Sequence, residues 1–95
     1  MAYGLNVTYQ LKPGKREEFL AAVAQCGVQE DVRREEGCLQ YDFFLPVEDE
    51  DKLLLMEKWT SREAQQVHMT QPHMAKLMAA KAQCVETTTL ETYDL

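Results

Sequence analysis

The chain has 95 residues, enough for a single domain over residues 1–95 with a real core, and too few for a second lobe or a cofactor-binding domain. Hydrophobic residues make up 45% and charged residues 27%, a globular mix, and the net charge of −6 repels phosphate backbones and anionic membranes. Basic residues are followed by acids, as in Lys15-Arg16-Glu17-Glu18 and Arg33-Arg34-Glu35-Glu36, so these segments read as solvated mixed faces and nucleic-acid binding is not expected.

Residues 3–11 read as a strand, with Val7, Tyr9 and Leu11 alternating against Asn6, Thr8 and Gln10. Lys12-Pro13-Gly14 breaks the strand, and Pro13 suits a helix start. A helix is predicted from about Gly14 to Glu35, with Phe19, Leu20, Val23 and Cys26 as its apolar stripe. Val28 and Val32 lie on a rotated face, so Gly27 marks a bend, and Arg33, Arg34 and Gly37 form the stop.

Residues 38–45 read as the second strand, with Leu39, Tyr41, Phe43 and Leu45 on one face and Cys38, Gln40, Asp42 and Phe44 on the other. The acidic run Glu48-Asp49-Glu50-Asp51 reads as a solvated hairpin loop; it lacks the spaced ligands and turn glycine of a calcium loop. Residues 52–59 form the third strand, with Leu53, Leu55, Glu57 and Trp59 on one face and Leu54 and Met56 on the other. Thr60 and Glu63 read as a capping box opening a short helix to about Met69. Pro72 interrupts, a second short helix carries Met74, Leu77 and Met78, and residues 84–93 form the last strand.

The order β-α-β-β-α-β is the ferredoxin-like α+β arrangement. It predicts a four-stranded antiparallel sheet with its helices on one face. Strand three is apolar on both faces, and strand two carries Phe43 and Phe44 on opposite faces. Helices can cover only one side, so a homodimer packed sheet to sheet is expected.

No apolar run approaches the length of a membrane span, and the opening MAYGLNV has no basic region followed by an apolar stretch, so neither a span nor a signal peptide is expected. Three cysteines at long spacings, Cys26, Cys38 and Cys84, read as reduced thiols of a cytoplasmic protein. The four glycines are scattered, and no phosphate loop or dinucleotide fingerprint occurs, so no bound organic cofactor is expected.

The residues able to carry chemistry are His68, His73, Glu57, Trp59, Tyr41 and Asn6. The histidines flank Pro72 at a spacing of five, which differs from the helical zinc pair and argues against a metal site. Either ring can shuttle a proton near neutral pH, or can simply pack at the helix break. Glu57, on the strand face with Leu55, is a base or an orienter if that face meets the helices; a structural hydrogen bond is the alternative. Trp59 and Tyr41 can stack on a flat ligand or serve the core.

The segments KPGKREEF (12–19), REEGCLQYDFF (34–44), LLLMEKWTSREA (53–64) and HMTQPHMAKL (68–77) resemble the antibiotic biosynthesis monooxygenase domains of the dimeric α+β barrel group. The resemblance implies a two-fold dimer with sheets packed into a barrel, and a pocket between sheet and helices in each subunit. It further implies a cofactor-independent monooxygenase that oxidises a small phenolic or quinol-like substrate with O₂, without metal or flavin. On that basis His68 is the leading residue for proton transfer, with Glu57 and His73 in support. Trp59, Tyr41, Phe43 and Asn6 then contact substrate. One related activity is the isomerase acting on a phosphorylated quorum-sensing sugar, for which Lys12 and Arg16 are the available cations. Another relative degrades haem using an asparagine on strand one. Here that position falls near Val7, and Asn6 is one residue off, on the opposite face. A small-ligand binding or stress protein without turnover is the third reading.

Overall fold

In the computed structural model, which describes residues 1–95, the chain runs β1 (Tyr3–Leu11), α1 (Arg16–Cys26), α2 (Val28–Arg33), β2 (Cys38–Phe44), β3 (Lys52–Trp59), α3 (Arg62–His68), α4 (Met74–Cys84) and β4 (Val85–Asp94). The four strands form one antiparallel sheet in the order β2-β3-β1-β4. This is the ferredoxin-like fold. Leu5, Val7, Tyr9 and Leu11 of β1 and Leu53, Leu55 and Trp59 of β3 are buried together with Phe19, Val23, Val28, Val32 and Leu77 of the helices. Helices therefore cover one face only. Asn6, Thr8, Leu54 and Met56 lie on the other face, all incompletely buried.

Several local expectations are corrected. Residues 12–15 form a turn closed by the Lys15 N–H donating to the Lys12 carbonyl at 3.0 Å, so Pro13 belongs to that turn and the helix begins at Arg16. Gly27, at φ 72°, breaks the predicted long helix into two outright. A left-handed residue cannot continue the helical hydrogen-bond ladder, and the break redirects Val28 and Val32 into the core. The cap of α3 is Ser61, one residue beyond Thr60: its hydroxyl accepts from the Ala64 N–H at 3.1 Å. α4 is as long as α1, with 11 residues.

The face assignment of β2 also changes. Cys38 pairs with Trp59 and Gln40 with Lys58, so the register slips at Leu39. This irregularity leaves Leu39 59% exposed and packs Cys38 against the core beside the inward Tyr41. Strict alternation from Leu45 back to Leu39 therefore fails at its first residue. The acidic loop is tied down as well. Asp51 accepts from the Gly14 N–H at 3.0 Å, and Arg16 donates to the Asp49 carbonyl at 3.1 Å.

Candidate functional site

The site forms where the α3–α4 turn folds over the helix-covered face of β2 and β3. His68 closes α3 and His73 precedes α4, and the turn between them includes the Gln71 N–H donating to the His68 carbonyl at 3.1 Å. The turn brings both rings onto one carboxylate. Glu35 Oε2 lies 2.8 Å from His68 Nδ1 and 2.7 Å from His73 Nε2. Only 9% of the Glu35 side chain is exposed.

An ionised carboxylate has no proton to give, so each ring nitrogen facing Glu35 is the donor. In the neutral imidazole that arrangement places the proton on Nδ1 and leaves Nε2 with a lone pair. Nε2 faces Glu57 Oε1 at 3.9 Å, beyond direct hydrogen-bond range. Glu57 Oε1 accepts from the Trp59 indole N–H at 3.1 Å, and the Trp59 and His68 rings lie 4.6 Å apart between centroids at a tilt of 33°. Trp59 thus fixes both neighbours from behind. Burial raises the Glu57 pKa above the ordinary carboxylate range and outweighs the opposing effects of the Trp59 hydrogen bond and of the charge that His68 carries as an imidazolium.

His68 and Glu57 border a cavity of about 170 Å³ between the sheet and α3–α4. Its walls include Leu5, Val7, Tyr9 and Tyr41 from the sheet and Met74, Leu77, Met78 and Lys81 from α4. The Tyr41 hydroxyl is buried and has no hydrogen-bond partner. Desolvation raises its pKa far above the usual phenol value, so it is a fully protonated donor. Few buried hydroxyls stay unpaired, and one that borders a cavity is placed to meet a ligand.

Of the seven residues named from the sequence, Tyr41, Glu57 and His68 line this cavity. His73 and Trp59 stand behind it, in contact with Glu35 and His68 respectively. Phe43 is not at the cavity. Its ring packs edge-on against Phe19 and Tyr41, and it borders a shallow groove with Leu20 and Val23. Asn6 lies on the opposite sheet face, beside Met56 and Glu91, because neighbouring strand residues point to opposite sides. Arg16 is committed to backbone carbonyls at Asp49 and Lys52.

In the sequence Glu35 reads as part of a solvated charge run. A usable signal exists, though: an acid just past a helix C-terminus opposes the helix dipole and so calls for another role. The spacing argument against a metal also fails in three dimensions. The ligating atoms of Glu35, His68 and His73 lie within 4.8 Å of one another, two imidazoles and a carboxylate. As they stand, both nitrogen–oxygen distances are hydrogen-bond lengths. An ion coordinated at about 2.1 Å would require the three groups to spread.

The family model for antibiotic biosynthesis monooxygenase matches residues 2–80. The "Putative monooxygenase YcnE" of Bacillus subtilis (strain 168) is 40% identical over 75 residues, covering 79% of this chain and 77% of that protein. Protein SO0527 from Shewanella oneidensis superposes with a TM-score of 0.86 at 25% identity, covering 97% of this chain and 88% of the other. The "Putative antibiotic biosynthesis monooxygenase" from Nitrosomonas europaea reaches a TM-score of 0.87 at 22% identity, with the same coverages of 97% and 88%. The last of these speaks for the fold alone. With the matched family segment spanning both histidines, Glu35 and the first three strands, the chain belongs to the antibiotic biosynthesis monooxygenase family.

Proposed function

We propose that this protein is a cofactor-independent monooxygenase acting on a small phenolic or quinol-like substrate. The observation that carries the reading is the Glu35–His68 pair, which presents an unprotonated Nε2 beside a cavity that also holds an unpaired Tyr41 hydroxyl. An apolar cavity near 150 Å³ accommodates one benzene ring, so about 170 Å³ fits a single substituted ring.

The chemistry follows from these groups. A substrate hydroxyl donates to His68 Nε2, and His68 removes the proton as general base. Glu35 stabilises the imidazolium that forms, and Glu57 faces it from the other side. The resulting phenolate is electron-rich enough to pass one electron to O₂. Recombination of the phenoxyl radical and superoxide forms a carbon–oxygen bond, and collapse of the hydroperoxide expels water. For a ring carbon bearing hydrogen the balance is phenol + O₂ → quinone + H₂O. One oxygen atom enters the ring, the other leaves as water, and the substrate supplies all four electrons. Tyr41 is the donor for the oxygen that develops negative charge.

The sheet face opposite the cavity supports a homodimer. Phe44 is 44% exposed, Leu54 and Met56 are half-buried, and nearly every residue of the edge strand β4 is exposed. A second copy packed on this face would cover them. The three cysteines are all free thiols, which fits a reducing, cytoplasmic setting, and no helix is long and apolar enough to cross a membrane.

The deciding experiment is oxygen uptake with a panel of one-ring phenols and quinols, run with ¹⁸O₂. The expected result is enzyme-dependent uptake with one labelled atom in the product. Autoxidation rates unchanged by the protein across the panel overturn the reading. Conversion of a carbonyl substrate under anaerobic conditions would assign isomerase chemistry to the same His68 base instead.

A further inference from the structure

One cation borders the cavity, and it has no counter-ion. Lys81 reaches the cavity from the last turn of α4. Lys15, Arg33, Arg62 and Lys76 each pair with a carboxylate, and Arg16 holds two carbonyls. Lys81 makes no ion pair and no side-chain hydrogen bond, a state it shares with Lys12, Arg34, Lys52 and Lys58, but of these five Lys81 alone borders the cavity. Its ammonium lies 5.2 Å from the centre of the Tyr9 ring, half-buried among apolar walls that include Leu77, Met78 and Leu90. Burial holds its pKa below the usual lysine range. A partly desolvated charge without a counter-ion is costly, and an anionic ligand removes that cost.

Lys81 also stands at the far end of the cavity from the base. Along α4 it follows Met74 by seven positions, about 10 Å of helix rise. Across the sheet, Glu57 is opposite Leu5 while Thr88 is opposite Tyr9, four residues further along β1 or about 13 Å. His68 and Lys81 border the same cavity from its two ends, which suits a ligand made of one aromatic ring and a short arm.

We propose that Lys81 is an anion-recognising residue and that the ligand is a one-ring hydroxyaromatic compound carrying a second, anionic group on a short arm, a carboxylate or a phosphate. The hydroxyl meets His68 and the anion meets Lys81. This deepens the monooxygenase reading and rests on it for the hydroxyl end. The charged end is tested separately by binding.

Binding of 4-hydroxyphenylacetate, its methyl ester and 4-hydroxybenzylphosphonate is measured calorimetrically, with no turnover required. The acid is expected to bind about tenfold more tightly than the ester, the scale of one charge-assisted hydrogen bond. The phosphonate arm tells a phosphate ligand from a carboxylate by which of the two anions binds better. Lys81→Gln should remove the preference by weakening the acid and sparing the ester, and Lys81→Arg should retain it. Lys81→Glu should reverse it in favour of the cation tyramine. Equal binding of acid and ester, or no binding of any of the three, overturns the proposal. Equal losses for acid and ester in Lys81→Gln would also overturn it, since they assign Lys81 to structure. If the acid binds through Lys81 while no phenol is ever oxidised, the monooxygenase reading falls and the anion site stands.

Discussion

Glu35 Oε2 and His68 Nδ1 lie 2.8 Å apart across 33 residues of sequence, and this contact sets which His68 nitrogen can accept a proton. His73 donates to the same oxygen from the other side at 2.7 Å. The carboxylate is thereby held in one position by two rings, and His68, the proposed base, inherits that order.

Replacing Glu35 with Gln should therefore strike turnover. A carboxamide offers an oxygen to one ring and an NH₂ to the other, so the His68 tautomer is no longer dictated. We expect kcat to fall about 10²-fold with KM little changed and the fold intact, the scale of a lost general-base contribution. Steady-state oxygen uptake with circular dichroism of the variant checks this. Unchanged kcat would relegate Glu35 to a structural contact.

Tyr41→Phe should separate stability from activity. The hydroxyl is buried without a partner, so its removal relieves an unsatisfied group and should raise stability by up to about 1 kcal/mol. Turnover should fall at the same time, because the donor for the developing oxyanion is gone. Urea unfolding and oxygen uptake on the same preparation test the pair of outcomes, and a loss of stability would reveal a partner for the hydroxyl.

Glu57 predicts a pH dependence. Burial lifts its carboxyl pKa above the ordinary 4.5, against the pull of the Trp59 hydrogen bond and His68. A carboxyl with a higher pKa in the folded state binds its proton more tightly there. Its stabilising contribution is complete below the unfolded value and is lost as pH rises through the folded one. The Tm difference between Glu57→Gln and wild type should thus grow in the variant's favour from acid pH to neutrality. A difference independent of pH would show that the folded and unfolded carboxyl titrate alike.

Gly37→Ala should destabilise the junction that carries Glu35 into β2. Gly37 sits at φ 88°, and a Cβ there would come 2.7 Å from Ala64 Cβ and 2.8 Å from Thr60 Oγ1. Strain and overlap together should cost about 2 kcal/mol or more. Chemical denaturation measures it, and a loss below 0.5 kcal/mol, the ordinary scatter of surface changes, would contradict the clash.

Met56→Lys tests the proposed dimer. Met56 is half-buried on the open sheet face, paired with Asn6 and Asp42 across the strands. A charge there should leave the monomer folded and shift sedimentation from dimer to monomer. A wild-type protein that sediments as a monomer at micromolar concentration would remove the dimer altogether.

The sequence by itself determined the element order, the sheet and the inward face of β3. Period-two alternation and breakers at Pro13, Pro46 and Pro72 are local signals, and local signals suffice to order strands and helices. It also marked Glu57 and His68, since a carboxylate between Leu55 and Trp59 on an inward face and a histidine at a helix break stand out against their neighbours. What the tertiary structure alone decided was which groups meet. The slip at Leu39 turned Cys38 inward, which no alternation rule anticipates because a bulge adds a residue without changing composition. Asn6 left the site through strand facing, and Phe43 through its place further along β2 against Phe19, while Glu35 joined it from a run that reads as solvated and Lys81 from the last turn of α4. Their partners, or in Lys81 the want of a counter-ion, are set by packing between elements far apart in the chain, and no run of neighbouring residues encodes that.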